Sequence, residues 1–279
     1  MNQSAYIKKV SCADAIFATQ EVIGRYLREG NFVYMCLYDF SKAFDSVEYV
    51  VLLQRLFDAG INGKLWRLMR DWYSRALCAV KGENGRISNF FDIGRGVKQG
   101  SVLSPTLFLL VMDPLLRQLE SSRLGLSVNN FYAGGFLHAD DIRTLASNSD
   151  TLNSQMDLVK DFADKNYLKL NTQKCEIVTF DRGRRKVIAP NCEVDGVAVP
   201  SGSVGKCLGF WWSGDLGAIR AVQENIGKAR RAFFHLGSLG VFKGDLSPLS
   251  TKSVIETCVL PVLMYGCENW ILTEVLYSN

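Results

Sequence analysis

Histidine and closely spaced cysteine pairs are scarce in this sequence. It contains only two histidines, His138 and His235, and none of its eight cysteines occurs in a Cys-x-x-Cys spacing. A structural zinc site of the usual Cys/His type is therefore not expected. A chain of 279 residues that is 48% hydrophobic can bury a sizeable core, so it needs no disulfide framework either. We expect reduced thiols and an intracellular protein.

Long apolar runs are also missing. No run approaches the roughly 20 residues that a membrane-spanning helix needs, and residues 1–9 lack the apolar core of a signal peptide. The sequence thus predicts no membrane partner. The net charge is only +4, too small to indicate nucleic-acid binding by itself. Two basic clusters, Arg182–Lys186 and Lys228–Arg231, fit either phosphate contacts or an ordinary solvated surface.

Hydrophobic periodicity predicts alternating helices and strands, without repeats, low-complexity tracts or flexible linkers. Helices are predicted over residues 11–28, 47–57, 64–75, 105–119, 151–167 and 215–236. Strands are predicted over residues 32–38, 76–81, 86–93, 131–137, 142–146 and 176–180, and within the interval 186–212. Ser104 is expected to be the N-cap of the fourth helix, with Pro105 at its first helical position. A change of composition near Ser213 predicts a subdomain boundary.

The most informative segment is His138-Ala139-Asp140-Asp141, which lies between two predicted strands. A tight turn there would place two carboxylates together, and such a pair repels itself unless a multivalent cation lies between the charges. A third carboxylate, Asp39, ends the predicted strand 32–38. Carboxylate oxygens favour Mg²⁺ or Mn²⁺. If the two strands are neighbours in one sheet, Asp39, Asp140 and Asp141 converge on a two-metal site for in-line phosphoryl transfer. The alternative is a solvated turn.

Further motifs accompany this pair in a fixed order. The segments are Tyr38–Val47, Arg95–Pro105, His138–Asp141, Leu168–Glu176, Cys207–Phe210 and Leu263–Trp270. In this order they resemble the reverse transcriptases of non-LTR (LINE-type) retrotransposons. They are similar, in turn, to the first catalytic motif, the template- and nucleotide-contacting loop, the catalytic turn, the lysine-bearing motif, the primer-side hairpin and a segment near the end of the thumb. The resemblance spans essentially the whole chain.

The resemblance implies an α+β fold, the palm of a polymerase right hand, in which an antiparallel sheet packs on helices. It implies a fingers remnant over residues 1–31, a palm with the catalytic motifs over 32–213 and the start of a helical thumb over 214–279. The first residues are similar to a mid-fingers motif in which Ala5 and Ile7 replace the usual glycine and arginine. We therefore expect a domain truncated at its N-terminus.

The function that the resemblance implies is RNA-directed DNA polymerisation. The partners would be an RNA template, a DNA primer and deoxynucleoside triphosphates, and the cofactors two Mg²⁺ ions, with Mn²⁺ as a substitute. Asp39, Asp140 and Asp141 would be catalytic and bind the metals. Lys174 would stabilise or protonate the leaving pyrophosphate, unless it is a solvated lysine beside a strand. The implied nucleotide- and template-binding residues are Phe40, Phe44, Lys98, Gln99 and Gly100, and the implied primer-side residues are His138, Leu208 and Gly209.

Two of these roles have a simple physical basis. Phe44 would lie beneath the nucleotide sugar, where a bulky ring clashes with a 2′-hydroxyl and so selects deoxynucleotides. The alternative is a plain core aromatic. Gln99 and Gly100 suit a loop whose backbone approaches the base pair closely, since glycine has no Cβ to obstruct it. The Phe40 carbonyl would be available to one cation.

Two further residues depart from the family pattern. His138 stands where the family usually has Tyr or Phe, so it could stack on the primer terminus and also take up a proton near neutral pH. Arg143 lies in a strand that the family keeps apolar, so it must reach solvent or find a partner.

Three other functions stay open on the sequence alone. A catalytically inactive nucleic-acid-binding remnant would keep the fold and the basic helix face. A different two-metal enzyme, such as a nucleotide cyclase, would need neither the apolar stripe over 219–236 nor the segment 263–270. A structural interaction module would bind no primer–template duplex. The sequence predicts neither the oligomeric state nor the identity of the RNA.

Overall fold

The computed structural model describes residues 2–181, 190–244 and 246–271. The basic cluster Arg182–Lys186 lies outside the described residues. The chain divides into two compact units. Unit 1 comprises Met1–Cys12, Tyr34–Ile177 and Pro190–Ser201, and unit 2 comprises Ala13–Val33, Val178–Ala189 and Gly202–Asn279. The fingers, palm and thumb boundaries at residues 31 and 213 do not follow from this division and stay predictions.

Helices and strands alternate along the chain, as predicted. The helices are α1 (Cys12–Arg28), α2 (Tyr49–Asp58), α3 (Gly63–Ser74), α4 (Ser104–Ser122), α5 (Ser149–Lys165), α6 (Ile219–Ser238), α7 (Pro248–Cys258) and α8 (Leu260–Leu263). The strands are β1 (Val33–Tyr38), β2 (Leu77–Cys78), β3 (Phe91–Asp92), β4 (Ser127–Val128), β5 (Phe131–Tyr132), β6 (Gly135–His138), β7 (Asp141–Ala146), β8 (Glu176–Phe180), β9 (Glu193–Val194), β10 (Val197–Ala198), β11 (Ser201–Gly202), β12 (Val204–Cys207) and β13 (Phe210–Ser213). The predicted hairpin over 76–93 is present, but β2 and β3 pair over only two residues each.

The principal sheet has five strands in the order β11-β8-β1-β7-β6. Strands β1 and β7 pair antiparallel with Tyr38 opposite Ile142, and β6 and β7 pair antiparallel with His138 opposite Asp141. All six residues of β1 are buried, as expected of a central strand whose two faces are both covered. The strand that ends before Asp39 is therefore the sheet neighbour of the strand that begins at Asp141.

The core of unit 1 forms where α4 and α5 pack on the hairpin of β6 and β7. Apolar residues of both helices recur every three or four positions and so line one face. The most deeply buried large apolar side chains are Leu107, Phe108, Val111, Met112, Leu115 and Leu119 on α4, and Leu152, Met156, Val159 and Phe162 on α5. Burying each of these side chains contributes roughly 1.5–3 kcal/mol. This core fixes the base of the hairpin that carries the paired carboxylates.

The start of α4 differs from the prediction. The helix begins at Ser104, so Leu103 (φ −84°, ψ −31°) is the N-cap and Ser104 is the first helical residue. Ser104 is buried, and no side chain caps this helix end. The prediction that Ser104 is the N-cap is therefore wrong by one position, while Pro105 does lie in the first turn, where its missing N–H costs nothing.

Unit 2 ends in helices α6, α7 and α8, which share a small core of Ala229, Leu236 and Val259. The predicted apolar stripe of α6 is partly wrong, because Ile219, Ile226 and Phe233 are exposed. The buried positions of this helix are Ala221, Asn225, Ala229 and Leu236. The Asn225 side chain explains why this other face of α6 is buried. Its amide donates to the backbone oxygens of Leu263 (3.3 Å) and Tyr265 (2.9 Å). No helix in the described ranges is both long and apolar enough to cross a bilayer.

A buried glutamine fastens the loops beside the hairpin. The fully buried Gln155 donates through Nε2 to the carbonyl oxygens of Leu124 (2.9 Å) and Gly134 (2.8 Å). Gly125 lies against this amide at φ +105°, and a Cβ there would overlap Gln155 Nε2 and approach the Leu145 oxygen to 2.5 Å. Only glycine fits this position, because any Cβ would meet both the amide and the strand backbone.

We expect Gly125→Ala to lower the free energy of unfolding by at least about 2 kcal/mol, from backbone strain plus the steric overlap. The matched control is Gly60→Ala, because Gly60 also has positive φ (+84°) but has open space where a Cβ would lie. Urea denaturation of both variants measures the difference. Equal losses in the two variants would show that the contact with Gln155 contributes nothing.

Candidate active site

The paired carboxylates lie on a two-residue hairpin loop. His138 and Asp141 face each other as the last pair of β6 and β7, so Ala139 and Asp140 form the connection. Ala139 is buried and has φ +56°, a left-handed conformation that costs a residue other than glycine about 1 kcal/mol or more. The loop holds Asp140 and Asp141 next to each other, and both are half-buried. The predicted tight turn is confirmed.

Asp39 reaches the same edge of the sheet from β1. It follows Tyr38, whose partner across the ladder is Ile142, so Asp39 and Asp141 stand at corresponding ends of adjacent strands. The Asp39 backbone oxygen accepts a hydrogen bond from the Asn171 N–H (2.8 Å). Lys174 Nζ lies 3.6 Å from Asp39 Oδ2. The lysine-bearing segment is thus held by a backbone hydrogen bond to Asp39, the residue whose carboxylate the Lys174 ammonium approaches.

The three carboxylates affect one another electrostatically. Burial raises the pKa of Asp141, and the negative charges of Asp140 and Asp39 raise it further, while Arg143 opposes them. Across the described residues, however, no three His, Cys, Asp or Glu side chains are already spaced to hold one metal ion. The carboxylates therefore share one edge without forming a ready-made ligand shell, and their hard oxygens are of the kind that Mg²⁺ and Mn²⁺ prefer.

The glycine-rich loop packs against the segment that follows Asp39. Gly96 N donates to Val47 O (2.7 Å), and Val97 N donates to Phe44 O (2.9 Å). A Cβ on Gly96 would lie 3.0 Å from the Asp45 backbone oxygen, so this close approach requires glycine. Gln99 Nε2 donates to Asp45 Oδ1 (3.2 Å). Two segments separated by about fifty residues in the chain thereby form one surface in unit 1.

The predicted nucleotide-binding residues fall on this surface or next to it. The half-buried Phe44 ring stacks on Phe108 of α4, with centroids 4.3 Å apart and an interplanar angle of 15°. Phe40 is buried and forms an isolated antiparallel bridge with Leu170. Lys98, Gln99 and Gly100 are exposed. Gly100 has open space where a Cβ would lie, which leaves its backbone accessible. Phe44 is predicted either to exclude a 2′-hydroxyl or to be a plain core aromatic. Stacking on Phe108 is compatible with both, so both stay predictions.

The primer-side residues divide between the two units. His138 belongs to unit 1, whereas Leu208 and Gly209 belong to unit 2. Leu208 (φ +53°) and Gly209 (φ +72°) form the two-residue turn between β12 and β13, as in hairpin turns of the primed type. The Tyr265 hydroxyl donates to the Leu208 oxygen (2.6 Å). The predicted hairpin motif and the predicted segment 263–270 therefore contact each other within unit 2.

Two departures from the family pattern have clear surroundings. Arg143 is fully buried rather than exposed, and its guanidinium lies 5.7 Å from the Phe136 ring centroid, so the expectation of a partner is confirmed. His138 is half-buried, and burial lowers its pKa; Arg143 lowers it too, and Asp140 opposes both. The contacts of His138 with Ser4 and Cys12 had no sequence signal, since both partners are distant in the chain.

Comparison with known proteins decides the family. Residues 1–215 match the family model described as reverse transcriptase (RNA-dependent DNA polymerase). The chain belongs to this family. It is 33% identical over 173 residues to a retrovirus-related Pol polyprotein from type-2 retrotransposable element R2DM of Drosophila melanogaster, covering 62% of this chain and 16% of that protein. It is 26% identical over 243 residues to a Pol polyprotein from retrotransposable element R2 of Popillia japonica, covering 83% and 38%.

The chain thus spans well under half the length of these relatives, and the predicted LINE-type resemblance is confirmed. A solved structure, apo telomerase from Candida tropicalis truncated from its C-terminal domain, superposes with a TM-score of 0.50 at 17% identity. The match covers 76% of this chain and 39% of that one. At this identity the likeness concerns the fold, and it confirms the predicted α+β polymerase right-hand architecture.

We expect Asp141→Asn to stabilise the metal-free protein at pH 7 and to abolish stabilisation by Mn²⁺. Asp141 holds its proton more tightly in the folded protein than in the unfolded chain, so its ionisation costs stability above the raised pKa. That cost disappears as the pH falls below the ordinary carboxyl range, so the wild type should approach the variant in acid. Thermal unfolding in EDTA and in Mn²⁺ across pH measures both effects.

The control for this prediction is Asp157→Asn, which removes an exposed carboxylate from α5. It should change neither the metal-free midpoint nor the response to Mn²⁺. The opposite result is that Mn²⁺ raises the thermal unfolding midpoint of Asp141→Asn as much as that of the wild type. That result would contradict the assignment of Asp141 as a metal ligand.

Proposed function

We propose that this chain is the RNA-directed DNA polymerase domain of a LINE-type retrotransposon and that it extends a DNA primer on an RNA template. The observation that carries the proposal is the arrival of Asp39, Asp140 and Asp141 at one edge of the antiparallel sheet. The surface of Phe44 and the glycine-rich loop, in the same unit, supports it. Family membership supports the reaction class, and the meeting of these residues supports a reaction site at this edge of the sheet.

Asp39, Asp140 and Asp141 would hold two Mg²⁺ ions, for which Mn²⁺ could substitute. Bound by these residues, two such cations would lower the pKa of the primer 3′-hydroxyl and neutralise charge on the departing pyrophosphate. The residues fit these ions, since half-buried carboxylates that repel one another favour a multivalent counter-charge. The Phe40 carbonyl would provide a further oxygen ligand.

The remaining roles belong to the chain itself. Lys174, whose ammonium lies beside Asp39, would supply positive charge or a proton to the pyrophosphate. Lys98, Gln99 and Gly100 would contact the template and the incoming deoxynucleotide. The hydrogen bond from Gln99 to Asp45 restricts the Gln99 side chain, which supports such a role. His138, Leu208 and Gly209 would contact the primer. The cationic residues of α6 would meet backbone phosphates, which carry no sequence information.

We expect the purified chain to extend a DNA primer on an RNA template in Mg²⁺ or in Mn²⁺. The Asp140→Asn/Asp141→Asn double variant should lower the rate by at least about 100-fold, because it removes two charged ligands from the metal site. A gel-based extension assay measures both. The wild type and the double variant should bind the primer–template duplex with similar affinity, which a filter-binding assay checks.

Extension that survives in the double variant would contradict the metal site. A wild type that binds the duplex but does not extend the primer would instead favour the inactive nucleic-acid-binding remnant. Absence of duplex binding as well would favour a structural interaction module.

We expect Phe44→Val to weaken the discrimination against ribonucleotides by roughly tenfold or more, because the smaller side chain leaves room for a 2′-hydroxyl. The ratio of kcat/KM for a deoxynucleotide to that for the matching ribonucleotide measures this. Phe44→Tyr keeps the ring and serves as the control. An unchanged ratio in Phe44→Val would identify Phe44 as the plain core aromatic stacked on Phe108.

A further inference from the structure

The N-terminal segment adds a short parallel bridge to β6. Gln3 pairs with Leu137, whose N–H donates to Asn2 O (2.8 Å) and whose oxygen accepts from Ser4 N (3.1 Å). Gln3 Oε1 accepts from the backbone N–H groups of Ser4 and Ala5, each at 2.9 Å. Backbone contacts therefore fix this segment, and they bring the Ser4 side chain beside the last residue of β6.

Both ring nitrogens of His138 have polar partners. Ser4 Oγ lies 2.9 Å from Nδ1, and Cys12 Sγ lies 3.4 Å from Nε2. Ser4 Oγ also lies 3.2 Å from the Leu137 oxygen. Ser4 is only 7% exposed, so water has little access to this hydroxyl. The ring thus lies between two side chains that approach it from opposite edges.

The tautomer with hydrogen on Nδ1 lets all three contacts be hydrogen bonds: Nδ1–H donates to Ser4 Oγ, and the single hydroxyl hydrogen of Ser4 goes to the Leu137 oxygen. The tautomer with hydrogen on Nε2 allows only two, because the Ser4 hydrogen would be used on Nδ1. The first arrangement is therefore favoured. In a neutral imidazole the other nitrogen, Nε2, is then the acceptor, and it receives the Cys12 thiol hydrogen. The donors run in one direction, from Cys12 through His138 and Ser4 to the Leu137 carbonyl.

We propose that Ser4 and Cys12 are positioning residues that fix the plane of the His138 ring as a platform for the primer terminus. The torsion that turns an imidazole about Cβ–Cγ has only a broad, roughly two-fold preference, so neighbouring groups must choose the orientation. A phenyl ring at this position would depend on packing alone. The platform role rests on the proposed polymerase function, whereas the fixed tautomer and ring plane do not.

The tautomer is tested first, without any need for activity. Because the chain has only two histidines, ¹⁵N-histidine labelling and long-range ¹H–¹⁵N spectra resolve each ring, and His138→Phe assigns the signals. The wild type should show a protonated Nδ1 and an unprotonated Nε2 at His138. In Ser4→Ala the Nε2–H form should appear, while Ser4→Thr, which keeps the hydroxyl, should resemble the wild type. An Nε2–H ring in the wild type, or an unchanged tautomer in Ser4→Ala, would overturn the proposal.

The platform role is tested by primer-extension kinetics. Ser4→Ala and Cys12→Ala should each raise the KM for primer–template roughly three- to tenfold, the effect of one lost hydrogen bond, with little change in kcat. The conservative variants Ser4→Thr and Cys12→Ser should restore the wild-type KM. In a His138→Phe background, Ser4→Ala should have no further effect, because no imidazole remains to be oriented.

Equal effects of Ser4→Ala in the two backgrounds would show that the Ser4 hydroxyl acts independently of the imidazole, through its hydrogen bond to the Leu137 oxygen, and would overturn the proposal. A wild type that does not extend primers would reject the proposed function instead. In that case the spectra alone decide whether Ser4 and Cys12 orient the ring.

Discussion

The antiparallel register between β1 and β7 is the constraint on which the site depends. Tyr38 stands opposite Ile142, so the residues just beyond this pair, Asp39 and Asp141, meet at one edge. Side chains alternate faces along a strand, and a slip of one residue would carry every side chain of a strand to the other face. The buried apolar residues of β1 prevent such a slip, because it would disturb their packing on both faces of the sheet. The core therefore fixes the register, and the register places the carboxylates.

The three carboxylates at this edge of the sheet repel one another. The positive charges of two side chains, Lys174 and Arg143, offset this repulsion. Lys174 pairs with Asp39 from the exposed side, where 68% of its side chain is accessible, so solvent weakens the attraction. Arg143 acts from within the sheet, fully buried against Phe136, and lowers the pKa of Asp141 against the effects of burial and of the neighbouring carboxylates. We expect a divalent cation to compete with Lys174 for Asp39. The buried Arg143 cannot leave, so it would stay close to the carboxylates through the reaction.

The sequence predicted those features that depend on local patterns. The apolar run before Asp39 predicted β1, and the Ala-Asp-Asp segment between two apolar stretches predicted the hairpin turn. The features that it missed depend on tertiary contacts. The burial of Asn225 on α6, for example, reflects its hydrogen bonds to backbone about forty residues away. Ser4 and Cys12 meet His138 across separations of 134 and 126 residues, and no periodicity carries that information.

We propose that Asp39, Asp140 and Asp141 together bind two divalent cations. A crystal structure of the chain with Mn²⁺, a primer–template duplex and a non-reactive deoxynucleotide analogue tests it most directly, because the anomalous signal locates each ion. We expect two manganese peaks beside Asp39 and Asp140, with Asp141 as a further ligand. Anomalous peaks only at other carboxylates, or none at this edge of the sheet, would contradict it.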